Sequence, residues 1–290
     1  MKKILFATTA LVATAGVAAA DVSFGGYGRF GVAYTSAGAG STDLTSRLRL
    51  TITGTTESDN GLSFGARYRI QQSGTSAAPA ATGTGTNQAR FWMSAGGLTV
   101  AVGNIFGAMD SLPNLYIGQH GGSIGYQGLG YGHVVTEFAT HTYSSGSAGS
   151  AGSDGVEVTY SGDAYSVHLS SGASRIEFGG SYSFGDWTVG AAATDAGAGA
   201  QWVATVGGTI GSINIRAAVA EVGVNTNYNV SAGFAVGAAT TITAYLASVR
   251  GADNYGLGVN HSLGGGASIA AGVASLGGTT RAEAGVVFNF

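Results

Sequence analysis

The sequence contains no cysteine, only two prolines and few charged residues, which make up 9% of its 290 positions. The absence of cysteine excludes disulfide bonds, cysteine-ligated zinc and thiol catalysis. A soluble domain ordinarily carries about 25% charged residues, so this chain has too little charge to cover a surface that faces water. Apolar residues nevertheless make up 44% of the chain, and 12 phenylalanines and 13 tyrosines are among its aromatic residues. This composition argues against disorder and indicates that something other than water contacts many of the apolar side chains.

Lysine occurs only at Lys2 and Lys3, directly before an apolar stretch from residue 4 to residue 17 that is followed by three alanines. A positive start, an apolar middle and small residues before Asp21 are typical of a signal peptide, so we expect residues 1–20 to be removed. The alternative is a membrane anchor, but threonines interrupt the stretch, which is also short for a spanning helix.

The predicted mature chain, residues 21–290, carries ten arginines and fifteen acidic residues, which gives a net charge of −5. This balance excludes nucleic acid as a partner. No later apolar run is long enough for a membrane helix, so the exported chain either stays in water or enters a membrane as strands.

Apolar and polar residues alternate with a period of two along most of the mature chain. Between residues 44 and 52, leucine and isoleucine alternate with threonine and arginine, and residues 62–71 repeat the pattern after a turn signal at 58–61. Sixteen such segments lie at 22–35, 43–56, 61–73, 87–95, 98–105, 155–161, 164–171, 174–184, 187–195, 200–210, 212–222, 227–237, 240–249, 253–263, 266–276 and 280–290.

An even number of two-faced strands of this length predicts an all-β fold, a transmembrane antiparallel β-barrel of the bacterial outer membrane with 16 strands. Both terminal segments are strands, so they can pair and close the ring. The last strand has apolar residues at every second position and ends on Phe290, as outer-membrane assembly signals do. The alternative is a soluble β-sandwich, but its outer faces would carry charge.

A segment of about fifty residues, roughly 104–154, separates the fifth and sixth predicted strands. Loops of this length inside a compact unit are usually functional. The lumen of a 16-stranded barrel is an aqueous channel, and a loop that folds inward would narrow it. An exposed surface loop and an extra hairpin built on residues 134–143 are the alternatives.

Six of the ten arginines share the polar side of the first four predicted strands, and we expect them in the lumen: Arg29, Arg47, Arg49, Arg67, Arg69 and Arg90. Facing them, Asp110 and Glu137 are the candidate acids of the inward loop. Opposed charges of this kind set the selectivity of pores, so these eight residues form the predicted constriction. The alternative is that the arginines merely line a wet wall, as we expect for Arg175, Arg216, Arg281, Glu157, Glu177 and Glu283.

Sequence motifs typical of catalytic sites are weak in this chain. The glycines of residues 26–31 match a dinucleotide fingerprint, but no helix pattern follows them. Residues 121–125 spell a nucleophile elbow, yet the required strand and helix are missing from the pattern. His120, His133 and His141 have no metal-ligand spacing. We therefore expect no catalytic residue, no metal and no cofactor.

Several segments resemble the alphaproteobacterial general porins: residues 26–31, 46–49, 53–58, 103–116 and 255–290. The resemblance implies a trimer of 16-stranded barrels, each constricted by the loop after the fifth strand. This chain departs from the family in having few acids in that loop, which argues against bound calcium.

The sequence therefore predicts an outer-membrane general diffusion porin rather than an enzyme. Its partners would be outer-membrane lipid and the small hydrophilic solutes and ions that diffuse passively through a water-filled channel. The clustered arginines favour a weak preference for anions, although the net charge opposes it. The alternative is an outer-membrane barrel that uses the long loop as a hydrolase or an adhesin.

Overall fold

The computed structural model describes residues 20–75, 78–86, 88–116, 134, 143, 154–173, 175–195 and 201–290. Its strands are β1 Asp21–Thr35, β2 Ser41–Glu57, β3 Ser63–Thr75, β4 Ala78–Thr86, β5 Arg90–Ala95, β6 Leu98–Asn104, β7 Asp154–Ser161, β8 Tyr165–Gly172, β9 Arg175–Phe184, β10 Trp187–Thr194, β11 Gln201–Ile210, β12 Ile213–Val222, β13 Asn225–Val236, β14 Thr240–Val249, β15 Ala252–Gly264, β16 Ala267–Leu276 and β17 Thr279–Asn289. Within these ranges, no helix has the length and apolar character needed to cross a membrane.

The strands occupy sixteen positions around one antiparallel barrel, because β4 and β5 share a position. Both pair with β3, β4 along its second half, where Ile70 faces Thr86, and β5 along its first half, where Arg67 faces Arg90. The predicted 16-stranded barrel is confirmed. Residues 78–86 differ from the prediction, which left them between two strands, because their alanine, threonine and glycine run shows no apolar alternation.

The barrel closes where its first and last strands meet. β1 pairs with β2 on one side and with β17 on the other, and Phe30 lies opposite Val286 in the closing register. The N–H of Gly26 donates to the carbonyl of Phe290 at 2.9 Å, and the N–H of Phe290 donates back at 3.1 Å. Neither terminal strand is therefore left with a free edge, which is the condition for strands to stand in lipid.

The outer face of the barrel is apolar, whereas its inner face carries polar and small side chains together with a patch of apolar ones. Phe24, Leu44 and Leu246 point outward and are 68%, 64% and 65% exposed, whereas the buried side chains of the strands include Glu157 and Asn229. This arrangement is the reverse of a soluble domain, in which large apolar side chains are buried. Because all the described strands belong to one closed sheet, the β-sandwich alternative is wrong.

Aromatic side chains of the last strand cover glycines of the first strand at the closing seam. The rings of Phe288 and Phe290 lie over the positions where Gly28 and Gly26 would carry a Cβ atom. These glycines are part of the motif at residues 26–31 that matches a dinucleotide fingerprint, and they lie within strand β1. The glycines of this motif therefore serve close packing at the seam. A nucleotide site would require a helix directly after the motif, and none follows it here.

We predict that Gly26→Ala weakens the seam. A Cβ atom at this position would lie 2.1 Å from the backbone oxygen of Arg49 and 3.0 Å from the Phe290 ring. We expect the free energy of unfolding to fall by about 1–3 kcal/mol, the usual cost of overpacking. Urea unfolding of the folded barrel in detergent, followed by tryptophan fluorescence, measures the change.

The matched control is Gly54→Ala on β2, where an added Cβ atom meets nothing within 4 Å. Its unfolding midpoint should equal that of the unmodified chain or exceed it. Equal midpoints for the two variants would contradict the packing argument.

Candidate constriction site

Residues 105–116 leave strand β6 and lie against the inner face of the barrel wall. The N–H of Phe106 donates to Glu157 Oε2 on β7 at 2.8 Å, and the N–H of Met109 donates to Glu177 Oε2 on β9 at 3.2 Å. Between them, the N–H of Ala108 donates to the hydroxyl of Ser170 on β8 at 3.1 Å. Side chains of three successive strands thus satisfy backbone donors of the loop.

Further hydrogen bonds join the long segment to strands farther around the wall. The side-chain amide of Asn114 donates to the carbonyl of Thr188 on β10 at 3.2 Å. Further on, the side-chain amide of Asn227 on β13 donates to the carbonyl of Val134 at 2.9 Å. The described part of the long segment therefore lies inside the barrel, as predicted, and residues 105–116 do not form an exposed loop.

Apolar packing holds the loop to the wall beneath it. The cluster joins loop side chains to small inward-facing residues of β10, β11 and β12, and its buried members are Met109, Leu112, Leu115, Val134, Ala192, Val203, Ala218, Ala220 and Val222. Burying each large side chain of this kind contributes about 1.5–3 kcal/mol. The burial of these side chains therefore stabilises the loop against the inner wall of the barrel.

The six predicted arginines stand on the facing strands β1, β2, β3 and β5. Arg29 lies directly opposite Arg47 across the β1–β2 pair, and Arg67 lies directly opposite Arg90 across the β3–β5 pair. We call Arg29, Arg47, Arg49, Arg67, Arg69 and Arg90 the arginine wall.

Polar neighbours orient the arginines of β2. The Arg47 Nε donates to the hydroxyl of Ser73 at 2.9 Å, and the Arg49 Nε donates to Gln71 Oε1 at 2.7 Å. The Arg49 guanidinium also lies over the ring of Tyr27, 5.1 Å from its centroid. These contacts fix the planes of the guanidinium groups without neutralising their charge.

Loop aromatics join the arginine wall to the loop. The Arg69 guanidinium lies 4.5 Å from the ring centroid of Tyr143, which stacks on Phe106 at 4.8 Å, and Phe106 lies 5.2 Å from the guanidinium of Arg90. Arg90 also forms an ion pair with Glu157, through an Nε–Oε1 hydrogen bond of 2.6 Å and a second bond from Nη2. Glu157 therefore connects the arginine wall to the loop backbone.

The two predicted loop acids have different outcomes. Asp110 accepts a hydrogen bond from the hydroxyl of Tyr116 and is close enough to Glu177 for their charges to interact. Burial, with a smaller contribution from Glu177, raises the pKa of Asp110 from 3.8 to about 6. Glu157, which the sequence analysis assigned to wall lining, forms the ion pair with Arg90 of the arginine wall. Glu137 lies outside the described residues.

Sequence reasoning missed Glu157 and Glu177 as anchors of the loop. A usable signal was present, because Val203, Ala218 and Ala220 occupy inward positions where an open lumen should be polar. An apolar patch on the inner face indicates that something covers it.

The described geometry does not support the catalytic and metal-binding motifs of the sequence. Residues 121–125 and the three loop histidines, His120, His133 and His141, lie outside the described residues. In the part of the chain that the structure covers, no group of three or more histidine or acidic side chains is arranged to hold a metal.

Comparison with known proteins agrees with the fold. A curated porin from Fuscovulum blasticum is 36% identical over 154 residues, a match that covers 52% of this chain and 51% of that protein. The chain thus matches about half the length of that relative. A triple mutant of the Rhodopseudomonas blastica porin superposes with a TM-score of 0.77 at 28% identity, over 93% of this chain and 100% of that structure.

A structure from work on the asymmetric conductivity of engineered proteins has a TM-score of 0.76 at 28% identity, with the same coverage of both chains. The family model described as Gram-negative porin matches residues 7–280, which include β1 to β16 and the first two residues of β17. With its closed barrel and inward loop, this chain belongs to the Gram-negative porin family of the bacterial outer membrane.

Proposed function

We propose that the chain is a passive diffusion channel through which small hydrophilic solutes and ions cross the outer membrane in water. The observation that carries this proposal is a closed ring of strands with an apolar outer face and a polar, arginine-bearing inner face that a folded loop partly covers. A channel of this kind needs no catalytic step, because the solute crosses between two aqueous phases without chemical change.

The constriction proposal is that the arginine wall, with the loop acids Asp110 and Glu137, borders the narrowest part of the lumen. Support comes from the placement of the arginines on adjacent strands and from their contacts with Phe106 and Tyr143 of the long segment. A one-sided excess of positive charge at an aperture attracts anions and repels cations.

We also propose that residues 1–20 are removed as a signal peptide, that residues 21–290 form a single barrel domain, and that three barrels associate, as the resemblance to general porins implies. The hydrolase and adhesin alternatives have no observation in their favour, since no catalytic geometry is found among the described residues.

The test of the channel is conductance. The purified chain, added to a planar lipid bilayer in potassium chloride, should produce stable stepwise currents because its lumen is filled with water. A chain of this sequence that is folded by circular dichroism but produces no current would overturn the proposal.

Reversal of two wall charges should change ion preference. We predict that Arg47→Glu combined with Arg49→Glu shifts the reversal potential in a salt gradient toward cation selectivity, by roughly tenfold in permeability ratio if the changed charges act across the aperture. Arg175→Glu with Arg281→Glu on β9 and β17 is the charge-matched control. An unchanged reversal potential would remove Arg47 and Arg49 from the constriction.

The stability of the folded chain should also depend on pH through Asp110. The pKa of Asp110 is about 6 in the folded chain and 3.8 for an ordinary aspartate, so the folded state holds this proton more tightly than the unfolded state. Its contribution therefore favours folding at low pH and is lost as pH rises from near 4 to above 6.

We predict that Asp110→Asn, which keeps an oxygen acceptor for the hydroxyl of Tyr116, raises the thermal unfolding midpoint by about 2–4 °C at neutral pH. At a pH below the ordinary aspartate pKa the two proteins should unfold at the same temperature, because Asp110 is then protonated in both states. Thermal unfolding followed by circular dichroism across this pH range measures the difference. A constant difference at every pH would contradict the titration of Asp110.

A further inference from the structure

Three hydrogen-bond donors at the junction of the arginine wall and the loop lack an acceptor. The Nε atoms of Arg67 and Arg69 and the hydroxyl of Tyr143 are buried, and none of them has a hydrogen-bond partner among the described residues. A buried donor without an acceptor costs about 1–3 kcal/mol. Two of these donors belong to arginines on one face of β3, and the third belongs to the tyrosine that Arg69 lies over, which indicates a place where an acceptor from outside the chain would bind.

The charge at this junction points to an anion. Arg67 lies directly opposite Arg90, and Arg69 follows two residues later on the same face of β3. Glu157 is the one carboxylate that the described structure pairs with this group, and it is already bound to Arg90 and to the N–H of Phe106. Arg67 and Arg69 therefore have no carboxylate partner among the described residues.

Aromatic rings control which side of each guanidinium group is available. The Arg69 guanidinium lies over the Tyr143 ring at 4.5 Å, and the Arg67 guanidinium lies over the Trp92 ring at 6.0 Å. Stacking occupies a face of the planar group and leaves the N–H edge for an acceptor in its plane. Two adjacent edges of this kind suit an oxyanion that accepts several hydrogen bonds, and they suit a spherical chloride ion less well.

Tyr143 supplies a neutral donor beside the two cations. Burial raises the pKa of the Tyr143 hydroxyl, although Arg69 and Arg67 oppose that rise. The hydroxyl therefore remains protonated at neutral pH and can donate to an oxygen atom of an anion.

We propose that Arg67, Arg69 and Tyr143 form an oxyanion-binding subsite that holds a phosphoryl group, either inorganic phosphate or the phosphate of a small ester, during its passage through the lumen. The proposal rests on the proposed channel function and adds a saturable step to it. Inorganic phosphate is the probe for binding of the phosphoryl group. A phosphate monoester then distinguishes a site that also binds esters from one that binds inorganic phosphate alone.

The first experiment is inhibition of chloride current in single-channel recordings at constant ionic strength. Inorganic phosphate should reduce the current of the mature chain in a saturable manner. Arg67→Gln and Arg69→Gln should each raise the half-inhibiting phosphate concentration by about tenfold, the effect of losing a charge-assisted hydrogen bond. Arg69→Lys should lose most of the inhibition while it keeps the ion preference, because lysine lacks the planar fork.

The charge-matched control is Arg216→Gln on β12, whose Nε bonds to Asn214 Oδ1 at 3.2 Å. It should leave the half-inhibiting concentration within about twofold, since it removes charge without removing a subsite donor. Inhibition that weakens equally in Arg216→Gln and Arg69→Gln would overturn the subsite in favour of general electrostatics.

The second experiment measures binding without conduction. Trp92 lies against both Arg67 and Arg90, so its fluorescence in detergent should change on titration with phosphate and saturate. The response should weaken in Arg69→Gln, while circular dichroism verifies that this variant is folded. A saturable response from a chain that carries no current would support the subsite and overturn the channel.

Two outcomes would overturn the subsite and leave the channel intact. In one, the unmodified chain conducts in potassium chloride, but phosphate changes neither current nor fluorescence. In the other, phosphate acts only on Glu137→Gln, which would mean that a carboxylate of the chain itself already occupies the donors.

Discussion

The structure depends on one constraint, that every backbone N–H and C=O group within the lipid must find its partner inside the protein. A lost backbone hydrogen bond is costly in hydrocarbon, and an open sheet would present a whole edge of them. Pairing of β1 with β17 removes that edge. The seam is packed closely enough that Phe288 and Phe290 require glycine beneath them, so closure and local packing select the same residues.

The inward loop satisfies the same constraint by different means. In its described part, residues 105–116, the backbone has no strand partner, so side chains of the wall provide acceptors: Glu157, Ser170 and Glu177 accept from three loop N–H groups in turn. Apolar loop residues meanwhile pack on small inward residues of β10 to β12. The inner surface is therefore divided between a covered apolar side and an arginine side, and Glu157 connects the two through Arg90. This asymmetry is the physical basis for both the proposed ion preference and the proposed oxyanion subsite.

Sequence reasoning located the strands well because alternation along a strand is a local property. The segments predicted near 43–56 and 240–249 match β2 and β14 within two residues at each end. It failed at residues 78–86, where alanine, proline, threonine and glycine carry no alternation, and β4 forms because β3 extends beyond β5 and offers an edge to pair with. Parity grouped the arginines on one face of the wall, but the partners of Arg90 and Met109 depend on contacts between residues that are distant along the chain.

The sequence by itself determined the all-β barrel, the number of strand positions and the side on which each arginine stands, because these follow from side chains that alternate between lipid and water. Only the tertiary structure decided which carboxylates hold the loop, where Asp110 is buried, and which arginine donors lack an acceptor. Those features depend on how a segment without periodicity is laid across strands far away in the chain, and no local pattern encodes that path.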